Sequence, residues 1–312
     1  MNPYEHRVRD WGLYVEGRLP VVLGNDIAGV VEKLGPGVTE DLKPGEHVFG
    51  QTNYLKGTSD QSGLQEYALL DAYTVAKVPA FLTDDDGASL VCNIVAPFWA
   101  VFGAHGLDLP FPFPGGPINA RQPLDYSKET IVIIGAGSNC GKYAVQICAL
   151  AGFGTIVATA AREKNETELR FYGATHVINR YADDVEKQIR NIVGDELIYA
   201  FDAVNVDHTL GVSVLSNSKK GTLACIVPGK AEAEKVGAKA AGYDDKFVQG
   251  QSHNQPELGA AFWKYLPGWM SEGKIKATAW DVLEGLDCEK VNAVLDDYRD
   301  GRQPPKQVHV QL

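Results

Sequence analysis

The sequence predicts an α/β fold, with a parallel sheet covered by helices on both faces and a small β-barrel-like module ahead of it. Three observations predict it. From about residue 128 to 228, apolar runs without polar alternation are separated by helix-length stretches, the pattern of strands buried on both faces. Residues 1 to about 80 are short runs rich in Val, Ile, Leu and Tyr, broken by turn signals such as Gly24-Asn25, Gly35-Pro36-Gly37 and Lys43-Pro44-Gly45. Glycine is abundant, 33 of 312 residues, which calls for tight turns or backbone held close to a ligand.

Taken in order, the first module reads as strands at 21–23, 27–34, 47–50, 65–70 and 75–78. A helix is expected over 84–106, where Asp84, Asp85 and Asp86 favour a positive helix N-terminus. The run 109–117 holds four prolines and reads as a loop. Strands follow at 130–135, 155–160, 175–179, 197–204 and 221–227, alternating with helices at 142–150, 163–172, 183–193 and 207–215. Their crossovers are expected to be right-handed. The tail reads as a strand at 247–249, helices near 256–272 and 289–300, and a last strand at 307–312.

Lys and Arg total 29 against 40 Asp and Glu, a net charge of −11, which argues against nucleic acid and anionic membrane surfaces as partners. The five cysteines are widely spread with no CxxC pair, so neither a disulfide framework nor a thiolate zinc lobe is indicated. Reduced thiols, a polar start and the lack of any apolar run of about 20 residues fit a cytoplasmic protein. None of the seven histidines forms HxH or HxxxH spacing, so no metal ligand is assigned.

The segment from Ile131 to Lys142 is strand, glycine turn, then helix. Small residues let backbone approach a pyrophosphate, and N–H groups at a helix start hold the anion. Gly135, Gly137, Ser138, Asn139, Cys140 and Gly141 are therefore candidate cofactor-binding residues, Gly141 by allowing close helix–strand packing. The string is GxGxxxG rather than GxGxxG, so an ordinary βα turn stays open. No acid closes the second strand of the series, where a ribose-binding carboxylate is expected, whereas Arg162, Lys164 or Arg180 suits a 2′-phosphate. NADPH is the cofactor expected. Val227 and Pro228 end a strand at the carboxyl edge, where open sheets bind ligands, and are placed beside the nicotinamide.

Residues 24–38 and Lys43-Pro44-Gly45-Glu46-His47-Val48 resemble the GroES-like catalytic domain of the medium-chain dehydrogenase/reductase superfamily. The glycine turn, residues 173–179 and Phe201-Asp202-Ala203-Val204 are similar to that family's Rossmann cofactor domain. Within it the chain looks most like the zinc-free quinone oxidoreductase and enoyl reductase branch, including fungal stand-alone enoyl reductases that serve polyketide synthases. The resemblance implies a GroES-like domain over 1–123, a cofactor domain over 124–252 and a return to the first over 253–312. The family's extra strands ahead of the Asn-Pro segment are not seen before Asn2, which implies an incomplete or partner-covered β edge. Where zinc alcohol dehydrogenases carry His-Glu, this chain has Asn25-Asp26. Asn is a poor zinc ligand, and no Cys precedes Cys92.

That resemblance implies a metal-free reductase transferring hydride from NADPH to an activated C=C bond (enone or enoyl thioester) or to a quinone. Asn2 and Tyr4 match the segment at the nicotinamide side, and Asn93 lies in the interface helix; these are the catalytic candidates. An amide or hydroxyl there can stabilise the developing enolate. Gln51, Gln65 and Tyr14 are weaker candidates, and Trp99, Phe102, Phe111, Phe113, Trp263, Tyr265 and Trp269 are candidates for an apolar lining or for core. The expected partners are the small unsaturated carbonyl or quinone and a synthase, the chain itself being monomer or homodimer. An alternative is an impaired NADPH-binding relative acting as partner or sensor, and a weaker one is a zinc alcohol dehydrogenase.

Overall fold

The computed structural model describes residues 1–114, 123–302, 304 and 306–312, so the part of the proline run beyond residue 114 lies outside the described residues. In chain order, α1 (Glu5–Trp11) precedes strands β1 (Asp26–Val30), β2 (His47–Gln51) and β3 (Val75–Lys77), then the long α2 (Asp84–Phe102). An alternating series follows: β4 (Thr130–Ile134), α3 (Asn139–Ala151), β5 (Thr155–Ala160), α4 (Arg162–Phe171), β6 (His176–Asn179), α5 (Val185–Val193), β7 (Tyr199–Asp202), α6 (Thr209–Ser213), β8 (Gly221–Cys225) and β9 (Tyr243–Phe247). The tail adds α7 (Pro256–Ser271), β10 (Trp280–Glu284), α8 (Cys288–Arg299) and β11 (Gln307–Gln311).

The chain divides into two compact units, residues 1–92 with 251–312, and residues 93–250. The divisions fall inside α2 and just after β9, where the sequence reading sets 123/124 and 252/253.

In the second unit six parallel strands stand in the order β6-β5-β4-β7-β8-β9. The order reverses direction between β4 and β7, the switch point of a doubly wound sheet. Ile131, Val132 and Ile133 of β4 are fully buried, each worth about 1.5–3 kcal/mol of hydrophobic stabilisation. Val132 shares one core with Val157, Ile189, Val212 and Leu223.

In the first unit β1, β2 and β3 form an antiparallel sheet, and β10 and β11 a separate parallel pair. The strands expected at 21–23 and 65–70 are irregular; residues 63–64 just ahead of the second bond back to 23–24, Leu64 N–H donating to Leu23 C=O at 2.9 Å and Gly63 N–H to Gly24 C=O at 2.8 Å. The strand expected at 247–249 is displaced to Tyr243–Phe247. Two elements escape the sequence reading. Helix α1 carries Glu5 in its first turn and Arg9 in its last, and Gly12 closes it in the left-handed region at φ 67°. Strand β10 is the other, made by pairing with β11 far along the chain.

The aromatic candidates pack inward. Trp99, Trp263 and Trp269 are buried. Phe111 and Phe113 join a ring cluster in which Phe111 lies 5.9 Å from Phe98, 5.8 Å from Phe102 and 5.2 Å from Phe113.

Candidate functional site

Two groups of polar and backbone elements stand out, one in each unit. In the second, β4 delivers the chain into a turn at its carboxyl end. Gly135 has φ 73°, and a Cβ there would lie 2.4 Å from Val204, just beyond β7, so only glycine fits at the switch point. A Cβ on Gly141 would meet the Gly135 carbonyl oxygen at 2.3 Å, which lets α3 start directly against the turn. Ser138 caps α3: its Oγ accepts from Gly141 N–H at 3.1 Å and donates to Gly135 C=O at 2.8 Å. The turn is pinned to β5, with Ala136 N–H donating to Thr159 C=O at 2.9 Å. A Cβ on Gly137 would come within 3.2 Å of Asn165, whose amide donates to Ala161 C=O at 2.8 Å. Asn165 was not singled out from the sequence; nothing in its local pattern marks it.

Such a cradle, shaped by positions where a side chain does not fit and opening on the positive end of α3, suits the pyrophosphate of a dinucleotide. Asn139 and Cys140 form its first helical residues, and Cys140 Sγ lies 3.7 Å from Asn93 Oδ1, so these two candidates come together. Asn93 is buried. The basic candidates flank the end of β5. Arg180 N–H donates to Ala160 C=O at 2.9 Å, and the Arg180 guanidinium lies over the Tyr181 ring at 4.5 Å. Arg162 is bidentate to Glu166, at 2.6 and 3.1 Å, which raises its own pKa and lowers that of Glu166. Lys164 begins α4 beside it. Val227 and Pro228 follow β8, and Val227 C=O accepts from His208 Nε2 at 3.1 Å. Asp202 ends β7 and accepts from Val204 N–H at 2.9 Å, Asn205 N–H at 3.0 Å and the Asn205 amide at 2.8 Å; burial nonetheless raises its pKa.

In the first unit, Asn2 is buried and its amide is fully engaged, donating to Asp26 Oδ2 at 2.6 Å and accepting from Gln307 at 3.3 Å. These bonds tie the start of the chain to β1 and β11. Tyr4 differs. Its hydroxyl oxygen accepts from the Asn25 amide and lies 3.8 Å from Cys92 Sγ. Burial, reinforced by Cys92 and Glu5, raises the Tyr4 pKa well above its ordinary value, so the phenol stays protonated. Gln51 is braced between Cys92 Sγ at 3.6 Å and Ser252 N–H at 2.8 Å, and Gln65 donates to Ser59 and Ser62 carbonyls at 2.8 Å. A cavity of about 390 Å³ in this unit is lined by Leu13, Tyr14, Asn25 and Tyr54 among others.

Zinc does not fit the Asn25–Asp26 position. The Asn25 amide donates to Tyr4, and the two Asp26 oxygens accept from Asn2 and from Cys92 N–H at 3.1 Å. Burial raises the Cys92 thiol pKa well above the ordinary value. Among the described residues no trio of His, Cys or carboxylate donors converges there.

Comparison with known proteins places these features. Residues 1–80 match the family described as alcohol dehydrogenase GroES-like domain, and residues 140–250 that described as zinc-binding dehydrogenase. A trans-enoyl reductase of Aspergillus flavipes is 33% identical over 62% of this chain, and the chain spans about half of it, 53%. A trans-enoyl reductase of Aspergillus japonicus is 28% identical over 96% of this chain and 84% of its own length. The quinone oxidoreductase of Pseudomonas syringae pv. Tomato DC3000 superposes with a TM-score of 0.75, over 100% of this chain and 88% of that one. Its 19% identity makes this a likeness of fold. No helix among the described residues is long and apolar enough to cross a membrane.

Proposed function

The chain belongs to the medium-chain dehydrogenase/reductase superfamily, whose members bind nicotinamide cofactors, and from that premise we propose an NADPH-dependent reductase of activated C=C bonds or quinones that works without a metal. One observation carries the proposal: at the position of the zinc branch's His-Glu pair, Asn25 donates to a half-buried, neutral Tyr4 hydroxyl. The trans-enoyl reductases among the relatives support an enoyl substrate, which we take to be a thioester carried by a synthase, with enones and quinones as alternatives.

NADPH, when bound, supplies a hydride. The chain's own residues do the rest. The turn at Gly135, Gly137, Ser138, Asn139, Cys140 and Gly141 holds the pyrophosphate, and Arg162, Lys164 and Arg180 hold the 2′-phosphate. The Val227 and Pro228 backbone orients the nicotinamide end, and Asn93 braces Cys140. The Tyr4 O–H keeps its proton and donates a hydrogen bond to the substrate carbonyl oxygen as that oxygen gains negative charge, the Asn25 N–H holds the phenol oxygen in place, and water supplies the proton that completes reduction at the α-carbon. Leu13, Tyr14 and Tyr54 offer the apolar lining that an acyl chain or quinone ring requires.

The test is nicotinamide absorbance in a mixture of protein, NADPH and a panel of enoyl thioesters, enones and quinones. Expected is NADPH oxidation that a chelator leaves unchanged, with NADH at least about tenfold weaker in binding for want of the 2′-phosphate contacts. Binding of NADPH without turnover of any acceptor overturns the proposal in favour of a sensor, and loss of turnover with chelator overturns its metal-free chemistry.

A further inference from the structure

Away from the glycine turn, three side chains of the second unit converge. His208 immediately precedes α6, Cys225 ends β8 and Asp245 lies in β9. His208 Nδ1 is 3.0 Å from both Asp245 oxygens, Cys225 Sγ is 3.3 Å from Asp245 Oδ1, and Sγ is 3.6 Å from His208 Nδ1. His208 and Cys225 are buried, and the Asp245 side chain keeps 20% of its exposure.

His208 Nε2 faces the Val227 carbonyl at 3.1 Å, an acceptor, so Nδ1 is the nitrogen turned toward the carboxylate and the sulfur. Cys225 Sγ also lies 3.3 Å from the Lys246 carbonyl oxygen. Three atoms able to ligate a metal therefore face one centre. A nucleophilic relay is not the reason for the arrangement, because such a relay uses opposite nitrogens of the imidazole. Here sulfur and carboxylate address the same nitrogen.

We propose that His208 Nδ1, Cys225 Sγ and Asp245 Oδ bind a zinc-class divalent cation. Tetrahedral zinc with bonds of about 2.3 Å to sulfur and about 2.0–2.2 Å to nitrogen and oxygen sets ligand–ligand edges of about 3.4–3.6 Å. The observed separations of 3.0, 3.3 and 3.6 Å reach those edges with shifts of a few tenths of an ångström. The His208 Nε2–Val227 bond is the outer-shell contact that orients a ligating imidazole. Water from the Asp245 side completes the fourth place. Binding converts the thiol to a thiolate and releases its proton to solvent, so affinity rises with pH. Imidazole, thiolate and carboxylate together favour zinc over magnesium or calcium. The ion ties α6, β8 and β9 together near the backbone of Val227, and the inference is independent of which substrate the protein reduces.

Cobalt as a zinc surrogate tests it. Untagged full-length protein is stripped with chelator, dialysed against Co²⁺ alone, and read by absorbance and by metal analysis. Expected is about one Co²⁺ per chain with a thiolate-to-cobalt charge-transfer band and tetrahedral d–d bands, displaced by Zn²⁺. The band is lost in Cys225→Ser and retained in Cys140→Ser and Cys288→Ser. Because Cys225 is buried, Asp245→Asn serves as the second variant: its side chain reaches solvent, its circular dichroism should match the parent, and its Zn²⁺ affinity should fall at least about tenfold. Absence of stoichiometric Co²⁺, a bound Co²⁺ without the thiolate band, or equal binding by folded Cys225→Ser or Asp245→Asn overturns the proposal.

Discussion

The glycine turn of the second unit and the Tyr4 cluster of the first are assembled in opposite ways. The turn is made of backbone: Gly135, Gly137 and Gly141 shape it by what they lack, and Ser138 closes it within three residues. The cluster is made of side chains from distant segments, Tyr4 with Asn25 and Cys92, and Asn2 with Asp26 and Gln307. A site built from consecutive backbone announces itself locally, because steric exclusion acts on the residue itself. A site built from side chains depends on which segments the fold brings together.

The largest expected effect breaks the backbone side of this contrast. Gly135→Val puts a β-branched side chain at φ 73° against Val204 and should cost about 1–3 kcal/mol of stability. It should also abolish NADPH binding, read by thermal melting and nucleotide titration. Retained binding would mean that the turn is not the phosphate cradle.

Next comes the side-chain site. Tyr4→Phe keeps the ring and removes the hydroxyl, so kcat should fall about 100-fold with little change in cofactor affinity. Equal kcat in the variant would remove Tyr4 from the chemistry. Arg162→Ala sharpens the other side: NADPH affinity should drop about tenfold while NADH affinity stays the same. An equal loss for both nucleotides would place Arg162 elsewhere on the cofactor.

The smallest effect concerns Glu5, whose pKa is raised by burial, the N-terminal amine partly opposing it. In the window above the ordinary carboxyl pKa, the native state therefore binds more protons than the unfolded chain, and stability falls as pH rises through it. Glu5→Gln should flatten that fall, raising the melting temperature at neutral pH and leaving it unchanged in acid below the window. A parallel fall in both proteins would show that Glu5 is not its source.

Legibility follows the same divide. The strands β4 to β8 and helices α3 to α5 lie within a few residues of where apolar runs and helix periodicity put them. The cap that Ser138 places on α3 was not read from the sequence, which marked Ser138 only as a candidate for the cofactor turn. Helix α1 was missed although Gly12 marks its end, because seven residues hold too few turns for periodicity to show. Strand β9, Tyr-Asp-Asp-Lys-Phe, has a half-exposed, charged sequence that joins a parallel sheet only by pairing with β8. That Asn2 bonds to Asp26 and Gln307 was not legible, because those partners are remote in the chain.

The sequence by itself determined the doubly wound sheet, the glycine turn after its first strand and the replacement of His-Glu by Asn25-Asp26. Those features act through local sterics, burial periodicity and residue identity. Only the tertiary structure decided that Asn2 bonds to Asp26 and Gln307, that Tyr4 keeps a hydroxyl supported by Asn25, that Arg162 is already paired with Glu166, and that His208, Cys225 and Asp245 meet. The physical reason is range: hydrogen bonds and metal–ligand geometry depend on ångström distances between segments, and a linear pattern carries no such distances.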